Sequence, residues 1–119
     1  MSDIPFSLNT IAAMISIALG LLGLFAPYFV AELVGIVADD PRGVSEVRAT
    51  YGGMFIGFGV AALIAQDRAA FVTLGCGWLG AAVARVFAMY RDQAMSGANA
   101  GAVIMEAVIG AMFLFGPGK

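Results

Sequence analysis

The chain alternates long apolar runs with short charged breaks. No Asp, Glu, Lys or Arg occurs between Ile4 and Ala31, and charge then returns at Glu32, at Asp39-Asp40-Pro41-Arg42, at Asp67-Arg68 and at Arg91-Asp92. Runs of this length without period-two alternation predict helices rather than strands, over about 6–28, 45–65, 69–90 and 99–115. Ser45 is a candidate N-cap for the second, with Glu46 in its first turn. Residues 29–37 read as a short amphipathic turn or a helix extension, and Gln66-Asp67-Arg68 as a tight turn.

Each run has an internal pattern. Asn9, Ala13, Ser16, Gly20, Gly23 and Pro27 recur at i, i+4, i+7, i+11, i+14 and i+18, one helical face of small or polar residues. In lipid, helices approach through small residues, so this face is expected to look into the protein, with Ile11, Ile15 and Leu22 turned to lipid. The second helix carries two such stripes. One is Arg48, Gly52, Phe55 and Gly59; the other is Glu46, Thr50, Gly53 and Gly57. They lie on roughly opposite sides at about 100° per residue, which predicts a helix packed on both sides. Thr73, Gly77, Gly80, Ala81, Ala84 and Ala88 form a comparable face on the third helix, with Arg85 to one side of it, near Trp78 and Met89. Helix packing is therefore assigned to Gly52, Gly53, Gly57, Gly59, Gly77, Ala81 and Ala84.

Composition settles the solvent. The chain has 119 residues, of which 61% are hydrophobic and 12% charged, with mean hydropathy +0.95. Soluble domains carry about 25% charge, so lipid is the medium that suits these runs. The fold class expected is an all-α, integral membrane four-helix bundle, antiparallel with short loops, in one transmembrane domain over 1–119. The first run lacks a positive flank and exceeds a signal peptide's apolar region, so it is read as a retained span. There is no histidine, and the single cysteine, Cys76, lies in an apolar run and is read as a small core residue. No metal site and no cofactor is expected from this set. A net charge of −2 without a basic patch offers nothing to nucleic acid.

The remaining chemistry is a set of charges inside the spans. Arg85 lies about 9 Å inward from Arg91, and Glu106 about 10 Å inward from Asn99. Glu46 and Arg48 open the second helix on the same side, and all four fall in one half of the membrane. An arginine or aspartate at a helix centre costs about 2.5–3.5 kcal/mol on insertion scales. Such residues must pair, reach the surface or face a wet cavity. Arg85 and Glu106 are expected to pair across adjacent helices. Arg48 and Tyr51 are expected to join them, and Glu46 to reach water by itself. The bland reading is an ion-pair network that locks the helices. The functional one is a polar pocket for the head group of a small amphipathic ligand or lipid. Proton- or ion-coupled transport would need a carboxylate free of arginine. A small membrane enzyme acting on a lipid-like substrate would have only Glu46, Glu106 and Tyr51 as acid and base.

The string Glu46-Val-Arg48-Ala-Thr-Tyr51-Gly52-Gly53, the Ala26-Pro27 end of the first run, Arg85 and Glu106 resemble the bacterial four-helix membrane proteins grouped as domain of unknown function 4345. The resemblance covers nearly the whole chain. It implies an integral membrane protein with four helices and supplies no activity; the chain is expected to span a bacterial inner membrane. The function expected is a non-enzymatic accessory or scaffold subunit, or a binder of a small amphipathic ligand. Its partners would be membrane lipids and a second copy or a larger membrane complex.

Overall fold

The computed structural model describes residues 7–116. Among them the chain is all-helical, without strands: α1 Leu8–Phe25, α2 Pro27–Val34, α3 Pro41–Ala65, α4 Arg68–Arg91 and α5 Gly97–Phe115. Four of these, α1, α3, α4 and α5, are long and apolar enough to cross a membrane, at 18, 25, 24 and 19 residues. At about 1.5 Å per residue they measure roughly 27–37 Å, against a hydrocarbon core of about 30 Å. The expected start of the first helix at Phe6 lies outside the described residues.

Two boundaries differ from those read in the sequence. The first helix stops at Phe25, and Ala26 (φ −130°, ψ 59°) breaks it. Pro27 is then the first residue of α2, where its missing N–H and fixed φ suit a helix start, so Tyr28 belongs to a separate helix. Gly35, at φ 77°, ends α2 in the left-handed conformation, with the Ile36 N–H bonded to the Ala31 carbonyl at 2.8 Å. The second difference is the start of α3 at Pro41 rather than Ser45. Asp40 is the cap, its Oδ1 accepting the Gly43 N–H at 2.7 Å. Asp-Pro supplies a cap and a proline first residue together, four positions ahead of Ser45. The Ser45 hydroxyl instead donates to the Arg42 carbonyl at 2.7 Å. Inside α3, Ala49–Gly53 winds as a π-turn, closed by the Met54 N–H on the Ala49 carbonyl.

The chain divides into two compact units. One runs from Ala13 to Ile64 and holds most of α1 with α2 and α3. Here α1 and α3 are antiparallel, and the small-residue face of α1 is the packing face. Ala13, Ser16, Gly20, Gly23 and Pro27 are all buried. Gly59 sits on the Ala13 carbonyl and Gly23 on the Tyr51 carbonyl, while a Cβ at Gly52 would come within 2.8 Å of the Leu24 nitrogen. Backbone meets backbone at this crossing, which only glycine permits. The Ser16 hydroxyl donates to the Phe55 carbonyl at 2.7 Å. At the connecting end α2 folds against the start of α3 through Val30, Ala31 and Val47, with Ala38 and Tyr51 at the edge.

The second unit joins the first turn of α1, through Ala12, to α4 and α5. Phe71, Gly75, Trp78, Ala82 and Met89 form the buried face of α4. Glu106, Ile109, Gly110 and Phe113 form that of α5. Phe71 and Phe113 stack with centroids 6.4 Å apart. Gly75 and Gly110 let the helices close, a Cβ at either lying about 3 Å from the other's carbonyl. Asn9, fully buried, donates to the Met112 and Phe113 carbonyls at 3.2 and 2.9 Å.

The assigned packing residues fall into two groups. Gly52 and Gly59 are buried, whereas Gly53, Gly57, Gly77, Ala81 and Ala84 are exposed. A Cβ at Gly53, Gly57 or Gly77 would meet open space. Glu46 is exposed as well, so the second stripe of α3 faces outward. Lipid exerts no pull that forces every small-residue face into contact, and α4 buries the larger residues instead. Cys76, too, is exposed rather than in the core.

Candidate functional site

The α4–α5 hairpin holds a closed polar group. Arg85 Nε and one terminal nitrogen donate to the two Glu106 oxygens, both at 2.9 Å, a bidentate pair. The other terminal nitrogen donates to Asn99 Oδ1 at 3.1 Å. The Asn99 amide nitrogen in turn donates to the Ala94 carbonyl at 2.7 Å. Local structure sets this up: Ser96 caps α5 by accepting the Asn99 N–H at 3.0 Å, which places Asn99 in the first turn, one face with Glu106. The Glu106 side chain is 8% exposed and that of Arg85 29%. The carboxylate is buried against its partner, leaving neither oxygen free of the guanidinium. The expected Arg85–Glu106 contact is therefore present. Asn99 was not singled out from the sequence, although it stands seven residues before Glu106, on the same helical face.

Arg48 and Tyr51 belong to the other unit. Arg48 donates to the Leu24 carbonyl near the end of α1. Among the described residues it forms no ion pair. Tyr51 contributes its ring rather than its hydroxyl: it packs edge-on to Phe55 at 5.9 Å and lies against Val30, Ala31 and Val47. The π-turn begins directly after Arg48 and contains Tyr51. Such turns insert one extra residue per helical turn and re-aim the side chains around them.

Arg48 also lines an open cavity of about 450 Å³ with Tyr28, Ala38, Asp39, Asp40, Pro41, Val44 and Ser45. The sequence reading included only Arg48 of these. The cavity depends on α2 turning back at Ala26 and Gly35, and no spacing along the chain announces that. It sits where α3 starts. Arg48 is seven residues into this helix, about 10 Å along its axis. α3 is also longer than the hydrocarbon core needs by about 7 Å, and the cavity lies beside its first two turns. Exposed Tyr28, a residue type of interfacial belts, lines it. Among the described residues the arrangement offers one cation, two carboxylates and two hydroxyls at the start of a candidate span.

The profile of the family described as Domain of unknown function (DUF4345) matches residues 8–116. No curated protein and no solved structure matches the chain. The match covers all five helices, and the chain belongs to this family.

Proposed function

We propose that this family member is a non-enzymatic protein of a bacterial inner membrane that binds a small amphipathic molecule, its head group in the Arg48 cavity. The observation that carries the reading is Arg48 itself. It lines an open cavity at the end of a span, tied to a backbone carbonyl and lacking a carboxylate partner among the described residues. A guanidinium has five donors, and one bond to Leu24 leaves most of them for a ligand. Tyr28 and Ser45 add hydroxyls beside it, and the exposed apolar residues Phe29 and Leu33 of α2 offer a path for an acyl or similar tail. All-helical spans suit an inner membrane, since bacterial outer-membrane proteins are barrels. The scaffold aspect rests on the outward small-residue faces, Gly53 and Gly57 on α3 and Gly77, Ala81 and Ala84 on α4, which leave room for a helix of another chain.

Coupled transport finds less support. Its carboxylate would have to be Glu106, and both Glu106 oxygens are bonded by Arg85.

The test is retention. Wild type and Arg48→Gln are purified in mild detergent, and bound amphiphiles are counted by native mass spectrometry. Wild type should keep about one molecule per chain, and Arg48→Gln should lose it while helix content stays the same. Equal retention by both would overturn the reading.

A further inference from the structure

The same cavity constrains the head group. Resting on the amphiphile-binding reading, we infer that its preferred occupant is zwitterionic, a phosphate ester of a primary amino alcohol, with the phosphate on Arg48 and the ammonium on Asp39. Three observations lead there. First, the cavity is lined by both signs of charge: Arg48 against Asp39 and Asp40. Second, these charges do not neutralise each other. Neither aspartate lies within ion-pair distance of Arg48, and Asp39 makes no hydrogen bond or ion pair among the described residues. Third, the two acids differ in availability. Asp40 holds the Gly43 N–H as the α3 cap, while Asp39 is exposed beside it without such a task.

A purely anionic head group would gain Arg48 and face two carboxylates. A purely cationic one would gain the carboxylates and face Arg48. A head group with both charges, held apart by a short alcohol, meets each with its opposite. The amine should be primary. An ammonium with three N–H groups can donate to a carboxylate and to neighbouring oxygens, whereas a quaternary ammonium is recognised by several aromatic faces. Among the described residues Tyr28 is the one aromatic lining the cavity.

The chemistry is shared by a membrane phospholipid and by a soluble phosphoamino alcohol, and the experiment separates them. Wild type, Arg48→Gln and Asp39→Asn are placed in nanodiscs with equal parts phosphatidylethanolamine, phosphatidylglycerol and phosphatidylcholine. Lipids kept after release are identified by native mass spectrometry. Glycerophosphoethanolamine is then added to wild type as a soluble competitor. Wild type should favour phosphatidylethanolamine by about fivefold over each of the others, the scale of one exposed ion pair. Asp39→Asn should erase that preference by lowering phosphatidylethanolamine retention to the level of the other two lipids, and Arg48→Gln should reduce retention of all three. Displacement by the competitor supports the head-group chemistry with a soluble occupant; selective retention without displacement supports it with the lipid. Retention without preference, a preference for phosphatidylglycerol or phosphatidylcholine, or a preference that survives Asp39→Asn overturns this inference and leaves the binding reading standing. Loss of all lipid from wild type, with no response to the competitor, overturns both.

Discussion

The two hairpins each carry one arginine inside a span, at nearly the same depth along its own helix. Arg85 is six residues from the end of α4 and Arg48 seven from the start of α3, about 9 and 10 Å. They are accommodated in opposite ways. Arg85 is enclosed by Glu106 and Asn99, each held in turn by α5. Arg48 has a backbone carbonyl and an open cavity. Depth alone therefore does not decide what an intramembrane arginine does. A partner on the facing helix closes it in, and a break in the neighbouring helix leaves it lining an open cavity. Here the break is Ala26, and α2 is what it produces.

The largest expected effect lies on the locked side. Glu106→Ala should cost about 3–5 kcal/mol, because it leaves a guanidinium unpaired beside the Trp78 and Met89 face. Arg85→Ala should do comparable damage through Glu106. The joint replacement Arg85→Met with Glu106→Leu should recover most of the loss, since well-packed apolar pairs often equal a buried ion pair. Trp78 is the single tryptophan and is buried in this unit, so its fluorescence during unfolding in detergent follows this hairpin. Single variants that unfold like wild type would show that the pair is not a lock.

Next come the glycine crossings, which also differ. In the α1–α3 hairpin Gly23 lies on the Tyr51 backbone carbonyl, which has no rotamer to escape into. In the α4–α5 hairpin a Cβ at Gly110 would press mainly on Leu79 Cγ, at 2.8 Å, a side chain that can turn away. Gly23→Ala should therefore destabilise by up to about 3 kcal/mol and Gly110→Ala by about 1 kcal/mol, the two ends of the overpacking range. Helix content against temperature by circular dichroism reads both. A larger loss at Gly110 would reverse the ranking and mean that the α4–α5 hairpin is the more rigid.

Much of this was legible in the sequence, and the limits have physical causes. The small face of α1 could be read because the residues that allow approach, Ala13, Ser16, Gly20 and Gly23, are also the ones that are buried. On α4 the buried face is a different one. Its small residues Gly77, Ala81 and Ala84 are exposed, and the buried face is Phe71, Gly75, Trp78, Ala82 and Met89. That face shares Arg85's side of the helix, so the position of the charge was the better guide. A buried carboxylate partner fixes helix rotation more strongly than a run of alanines. The π-turn at Ala49–Gly53 and the cavity left no periodic trace, because both arise where the regular helix is interrupted.

Helix caps give a smaller and sharper contrast. Ser96 and Ser45 are both serines near the start of a span. The Ser96 hydroxyl accepts the Asn99 N–H and so also holds the residue that meets Arg85. Ser45 merely returns a bond to Arg42, one turn earlier on an exposed surface. Ser96→Ala should cost about 1 kcal/mol, and Ser45→Ala a few tenths at most. Thermal unfolding followed at Trp78 should separate the Ser96 variant from wild type, with circular dichroism reading the Ser45 variant. If Ser45→Ala is the more damaging, the start of α3 is held by Ser45 after all rather than by Asp40.

A small change in stability is also expected at Arg48, the residue that carries the proposed function. Among the described residues Arg48 has no ion partner to strand, and its bond to the Leu24 carbonyl is made at an exposed position. Arg48→Gln keeps the aliphatic stem but ends two bonds short of the terminal nitrogen, so the bond to Leu24 is lost. Its cost should stay below about 1 kcal/mol, the net worth of one hydrogen bond. Removing a long cation from the edge of a span also relieves some insertion cost, which pushes the net change toward zero. The same substitution at Arg85 would leave Glu106 buried without its cation and should cost several times more. Comparing Arg48→Gln with Arg85→Gln in one unfolding series therefore tests the central contrast directly. Similar losses at both positions would mean that Arg48 is as firmly built into the structure as Arg85. A silent Arg48→Gln leaves the guanidinium free for the cavity it lines.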